Sequence, residues 1–149
     1  MRNGWLIAGG VLSAAAAVLH LAVIVGGGPW YRFFGAGEAM ARAAERGSYM
    51  PALVTFGIAT ILCIWSAYAF SGARLIPRLP LLRTGLVVIT TIYLARGLML
   101  FPSLLFKPQL VDAFAVWSSL VVLVYGVAHA VGTWRAWPLL RRSALAKAA

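Results

Sequence analysis

The stretch TGLVVITTIYLARGLMLF, residues 84–101, decides the fold: a long apolar run with one charge, Arg96, set inside it. A helix of 18 or more apolar residues spans the hydrocarbon core of a bilayer, about 30 Å thick. Outward from this stretch the same pattern recurs. Apolar runs occupy about 5–25, 49–70, 82–101 and 113–134, more than half of the 149 residues. These are read as four transmembrane helices. No segment remains for a separate soluble domain, so the chain is expected to be one all-α integral membrane domain, an antiparallel four-helix bundle.

Composition agrees. Hydrophobic residues make up 62% and charged residues 11%, against about half and a quarter in globular proteins. The net charge of +10 does not point to nucleic acid, because the basic residues stand singly at span ends and form no stripe. There they set topology and meet anionic head groups. The run after Met1 is longer than the apolar region of a signal peptide and carries His20, so it is read as a first span. The single cysteine, Cys63, permits no disulfide within the chain.

Gly26-Gly27-Gly28-Pro29 is expected to end the first helix. An aromatic connector, Trp30, Tyr31, Phe33 and Phe34, follows, and then a short amphipathic helix over about 37–46. Glu38 opens that helix and Arg42 follows four residues later, a favourable pair. It is expected either to lie on the membrane surface or to serve as a solvated connector. Small or weakly polar residues form helical faces for close packing. These are Gly9, Ser13, Ala16 and His20 on the first span, Thr55, Ala59, Cys63 and Ser66 on the second, and Ser118, Tyr125, His129 and Gly132 on the fourth. Pro51 falls in a first turn, Pro102 is expected to stop the third span, and Asp112 is placed to cap the fourth. After Pro138 an alanine-rich tail with Arg141, Arg142 and Lys147 is expected to fray.

Orientation follows the basic residues. The start (Arg2), the middle turn (Arg74, Arg78, Arg83) and the tail (Arg135, Arg141, Arg142, Lys147) hold eight. The other connectors hold four (Arg32, Arg42, Arg46, Lys107), together with all three acids, Glu38, Glu45 and Asp112. The positive-inside rule then puts both termini and the middle turn in the cytoplasm of a cell with an inner membrane.

The run Tyr68-Ala-Phe-Ser-Gly-Ala-Arg-Leu-Ile-Pro-Arg-Leu-Pro-Leu-Leu-Arg83, with Tyr93-Leu-Ala-Arg-Gly-Leu98 and the Gly28-Pro-Trp-Tyr-Arg-Phe-Phe-Gly35 connector, resembles small four-helix inner-membrane proteins of bacteria. The resemblance implies a fold and a topology and carries over no catalytic residue.

Candidate chemistry lies in one layer. At about 1.5 Å per residue, Arg96 and His20 both sit roughly 20 Å above the cytoplasmic ends of their helices, with Ser118 and Thr55 near the same level. A mid-span arginine needs a carboxylate, carbonyls, water or an anion beside it. The expected site is therefore an outer-leaflet pocket for a lipid or amphiphile, lined by Arg96, His20, Tyr49, Trp117 and Ser118. Glu38 lies just above it, and the Trp30–Phe34 connector covers its mouth. The plainer readings are that Arg96 snorkels outward or pairs with Glu38 or Asp112, and that His20 bonds a neighbouring helix. Two other functions fit the pattern: an assembly subunit docking a membrane-protein partner or a second copy, and a proton-linked carrier. No cofactor or metal is called for. CxxC and HExxH are absent, and His20 and His129 differ in depth by roughly 14 Å, too far apart to ligate one haem iron. No nucleophile, base and orienting acid occur together, so no catalytic residue is assigned.

Overall fold

The computed structural model describes residues 2–145, side chains at 110 and 141–145 excepted. Helices α1 (Gly4–Phe33), α2 (Glu38–Glu45), α3 (Met50–Gly72), α4 (Leu82–Leu98), α5 (Leu100–Phe106) and α6 (Ala113–Leu145) follow in order, with a 3₁₀ turn at Pro108–Leu110. Four helical runs are long and apolar enough to cross a membrane: α1, α3, Leu82–Phe106 and Ala113–Leu140. Only 22–28% of each run's most apolar window is buried. Val18, Leu53 and Val124 are among the bulky apolar side chains left exposed. A helix that is apolar on every face and largely unburied is matched to lipid, not to water. The chain is a multi-pass integral membrane protein.

It packs as two compact units, one from residues up to 12 and from 65 onward, the other from residues 13–64. In the first unit Leu6 of α1, Ala73 just past α3, Leu82 and Leu86 of α4, and Ala136 and Leu140 of α6 form a buried cluster. The starts of α1 and α4 thus meet the ends of α3 and α6, which makes the four helices alternate in direction. Apolar side chains gain nothing by leaving lipid for one another, so close packing holds such helices together. Glycines provide it. A Cβ on Gly97 would fall 2.9 Å from the Leu123 backbone, and one on Gly126 would fall 3.0 Å from the Leu94 amide nitrogen. α4 and α6 therefore approach backbone to backbone. Ser66 Oγ donates to the Gly10 carbonyl (2.8 Å), tying α3 to α1.

In the second unit the expected break appears as a kink, not an end. Gly27 takes φ 64°, ψ −150°, and the helix resumes through Phe33. Trp30 lies over Gly26, where a Cβ would overlap the indole. α2 is amphipathic as expected, with Ala41 buried against Val23 and Tyr31.

Several boundaries differ from those read in the sequence. Pro102 does not stop the third span. It sits in the first turns of α5, and the bond it cannot donate is the one to the carbonyl of Leu98, the last residue of α4. Helix α6 runs past Trp134 and past Pro138 to Leu145. The fraying expected of the tail therefore does not begin at Pro138; Lys147 and the side chains of Arg141 and Arg142 lie outside the described residues. On α3, Thr55, Ala59 and Ser66 are buried, but Leu62 takes the place expected for Cys63, which is exposed. Steps of four, three and four keep one face of a 3.6-residue helix, and Cys63 lies one residue off that course.

Candidate functional site

Arg96 stands in the last turn of α4, exposed, and its Nη1 donates to Ser119 Oγ at 3.1 Å. Ser119 is buried, 3% exposed. Its neighbour Ser118, the residue expected in the pocket, donates instead to the Ala115 carbonyl of its own helix. Trp117 is 68% exposed. Among the described residues, no acid pairs with Arg96. Asp112 accepts from the Ala115 N–H at 2.7 Å, the helix cap expected of it.

The other expected site residues lie in the second unit. His20 Nδ1 meets the Ala16 carbonyl at 2.7 Å, a bond within its own helix and not to a neighbour. Tyr49 is 89% exposed. Glu38 is held by Arg32 (2.8 Å) and Arg42 (2.8 Å), and Arg32 also grips Glu45. Hydrogen bonds first from Arg32 and then from Arg42 pull the Glu38 carboxyl down to about 2, and Arg32 lowers that of Glu45. Arg32 and Arg42 thus already neutralise both carboxylates.

A second polar feature is internal to the first unit. Tyr93 packs edge-on against Trp65 (centroids 4.9 Å apart) and Tyr125 (5.6 Å), and tilted against His129 (5.1 Å). His129 is fully buried, its Nδ1 on the Tyr125 carbonyl at 2.9 Å. A Cβ on Gly9 would come within 2.8 Å of its ring. His129 Nε2 and Thr133 Oγ1, one turn apart, are buried without a hydrogen-bond partner among the described residues. This is a packed interior built on ring contacts. Among the described residues, no three of His, Cys, Asp and Glu are grouped to hold a metal.

A cluster of arginines lies elsewhere, at the end where the starts of α1 and α4 meet the ends of α3 and α6. Two adjoining clefts of about 180 and 200 Å³ open there. Gly72, Arg74, Ala136 and Leu139 line both; Arg78 and Ser71 add to one, Arg2, Asn3 and Arg135 to the other. Among the described residues, no acid lines either. Local structure fixes each arginine's place. Asn3 caps α1, its Oδ1 receiving the Leu6 N–H, and its Nδ2 donates to the Gly132 carbonyl at 2.7 Å, which anchors the segment bearing Arg2. Ser71 Oγ donates to the Pro77 carbonyl and accepts from the Leu79 N–H, both at 3.0 Å, closing the turn around Arg74 and Arg78. The Arg135 guanidinium lies 5.9 Å from the Trp5 ring. Nearby, Arg83 stacks 4.5 Å from the Trp137 ring.

Arg74 has an unusual backbone. α3 ends in a Schellman closure, Arg74 N–H to the Ser71 carbonyl and Leu75 N–H to that of Phe70. The same closure ends α1 around Gly35 and α2 around Gly47. Those residues have φ of 66° and 75°, and Arg74 has 63°. Twice the left-handed position holds glycine, which adopts it freely; the third time it holds an arginine facing a cleft. Three cations without an acid between residues 71 and 83 are visible in the sequence. That Arg2 and Arg135 join them follows only from the alternating helices.

Compared with protein-family models, with curated proteins and with solved structures, the chain matches none.

Proposed function

We propose that this protein binds the anionic head group of a membrane amphiphile in the arginine-lined clefts, at the cytoplasmic face of a bacterial inner membrane. The ligand class is the one the sequence suggests; the site is at the opposite end of the helices from Arg96. The observation that carries the reading is Arg74, a non-glycine residue in a left-handed turn, with Arg2 and Arg135 lining the same cleft and no carboxylate among the described residues there. The chain's three acids are engaged elsewhere, as a helix cap and in the Arg32 clasp. Strained residues that face a cleft mark places where side-chain chemistry outweighs backbone preference. Phosphate is the natural complement of guanidinium, and the apolar wall of Ala136 and Leu139 suits the start of an acyl chain. The cytoplasmic placement is supported by the basic residues gathered at this end.

A basic residue near an anionic membrane surface is worth about 1 kcal/mol. Arg2, Arg74 and Arg135 together then give about 3 kcal/mol, roughly a hundredfold in affinity. The test is titration of the protein, in neutral detergent, with short-chain phosphatidylglycerol and phosphatidylcholine, read by native mass spectrometry. The parent should prefer the anionic lipid by roughly that factor. The Arg2, Arg74 and Arg135 to glutamine triple variant should lose the preference, and Arg96→Leu should keep it. Equal binding of the two lipids by the parent, or loss of the preference in Arg96→Leu alone, defeats the proposal.

A further inference from the structure

We infer that the favoured head group is a phosphomonoester, a terminal dianionic phosphate with nothing beyond it, as in phosphatidate, seated in the cleft that Arg2, Arg74 and Arg135 line. This rests on the head-group reading above and names its ligand class. The three arginines come from three segments: the residues before α1, the turn after α3 and the later part of α6. They reach one space of about 200 Å³. The Arg135 guanidinium lies 5.9 Å from the Trp5 ring. A contact of that kind engages the guanidinium plane and leaves its N–H edge to donate. Asn3 is the neutral polar side chain on this wall, and it is committed to backbone. Its Oδ1 receives the Leu6 N–H at 3.3 Å, and its Nδ2 donates to the Gly132 carbonyl at 2.7 Å. The other described lining residues are Gly4, Gly72, Ala73, Ala136 and Leu139, which offer a head group no polar side chain.

A phosphodiester such as phosphatidylglycerol carries one charge on two terminal oxygens, and its remaining ester leads on to more head group. Three guanidinium groups then share two acceptors, and the glycerol hydroxyls meet a wall without a side chain to bond them. A phosphomonoester carries about −1.5 to −2 at neutral pH on three terminal oxygens. Each oxygen can take charge-assisted hydrogen bonds from one arginine. The added charge and acceptor should favour the monoester by about tenfold. Arginine does not titrate in proteins, so the pH dependence of this preference belongs to the ligand. The second ionisation of a phosphomonoester lies near about 6. Below it the monoester holds a single charge, as the diester does, and its advantage fades.

The test titrates the full chain, in neutral detergent, with phosphatidate, phosphatidylglycerol and phosphatidylcholine of equal short chains, and with inorganic phosphate. At about pH 7.5 the parent should bind phosphatidate roughly tenfold more tightly than phosphatidylglycerol, and inorganic phosphate far more weakly than either. At about pH 5 that ratio should fall to about two or less. Phosphatidylglycerol, carried through the same pH series, corrects for any titration of the protein. Arg135→Gln leaves two guanidinium groups and should lower the ratio at about pH 7.5 to roughly two; Arg135→Lys should keep part of it. Arg96→Leu, far from the cleft, should keep all of it. The ratio is read within one sample, so a partly unfolded variant lowers both affinities without changing it. Equal affinities for the two anionic lipids at about pH 7.5, a ratio indifferent to pH, or a ratio that survives Arg135→Gln overturns this inference, while preference for phosphatidylglycerol over phosphatidylcholine keeps the head-group reading intact. Binding of neither anionic lipid above phosphatidylcholine overturns both. Inorganic phosphate binding as tightly as phosphatidate would identify a free phosphate as the ligand and overturn the lipid assignment.

Discussion

Replacing Arg74 by glycine should make the protein more stable and less able to bind lipid. Arg74 occupies φ 63° at the close of α3, where an L-residue pays about 1–2 kcal/mol for the approach of its Cβ to the following carbonyl. Glycine avoids that cost but gives back about 0.4–1 kcal/mol through the greater freedom of its unfolded chain. The balance is a gain of about 0.5–1 kcal/mol in a neutral environment. Arg74→Ala keeps the strain and should stay within about 0.5 kcal/mol of the parent. The mirror experiment is Gly47→Ala, at φ 75° in the same closure of α2, which should cost about 1 kcal/mol. Unfolding by denaturant in zwitterionic micelles measures all three, and anionic-lipid titration on the same samples measures binding. If Arg74→Gly is no more stable than Arg74→Ala, the strain argument is wrong. If it binds anionic lipid as the parent does, the strained arginine has no role in the cleft.

Three other outcomes follow from the packing and the charges. Gly97→Ala should destabilise by about 1–3 kcal/mol, because the new methyl meets the Leu123 backbone and no flexible side chain can yield; Gly57→Ala, with open space around it, is the control, and equal melting of the two variants would contradict the close α4–α6 approach. Thr133→Val should stabilise by about 1 kcal/mol, since it removes a buried hydroxyl that has no partner among the described residues; a loss of stability in the same unfolding assay would reveal a hydrogen bond there. The Arg32 clasp should survive mild acid: Glu38 is held at about 2 against an ordinary 4.5, so its contribution is complete above 4.5 and vanishes as pH falls through 2. Tryptophan emission, followed down in pH and compared with a Trp30→Phe variant, should show a Trp30 transition near 2 that moves upward in Arg42→Gln; a transition centred near 4.5 in the parent would contradict the pairing.

Hydropathy and span number are legible from the residues because four long apolar runs have one membrane solution. Directions alternate because the connectors are short, and the Glu38–Arg42 pair and the Asp112 cap are local enough to read from spacing. What could not be read depends on rotation and on contacts far apart in sequence. Ser118 lies about 20° from His129 round the helix and Ser119 about 80° away, yet the packed structure buries Ser119, which shares its stripe with Gly126, Thr133 and Leu140 at intervals of seven. Arg96 draws attention because a charge inside an apolar run is costly in the abstract. In the folded chain it is exposed at a helix end with a serine to bond. The clefts could not be found by following one segment, since their arginines come from the start of α1, the turn after α3 and the end of α6. A left-handed arginine also has no sequence mark, because the glycine that usually signals this closure is absent.

The most direct measurement is the proximity of lipid phosphorus to arginine guanidinium nitrogen, by solid-state magnetic resonance of arginine-labelled protein in bilayers containing phosphatidylglycerol. Phosphorus should dephase a guanidinium signal that disappears in Arg74→Gly, while the Arg32 signal, enclosed by Glu38 and Glu45, should be spared. A spectrum in which no phosphorus-dephased signal is lost on replacing Arg74, or in which Arg32 is dephased as strongly, would contradict the account.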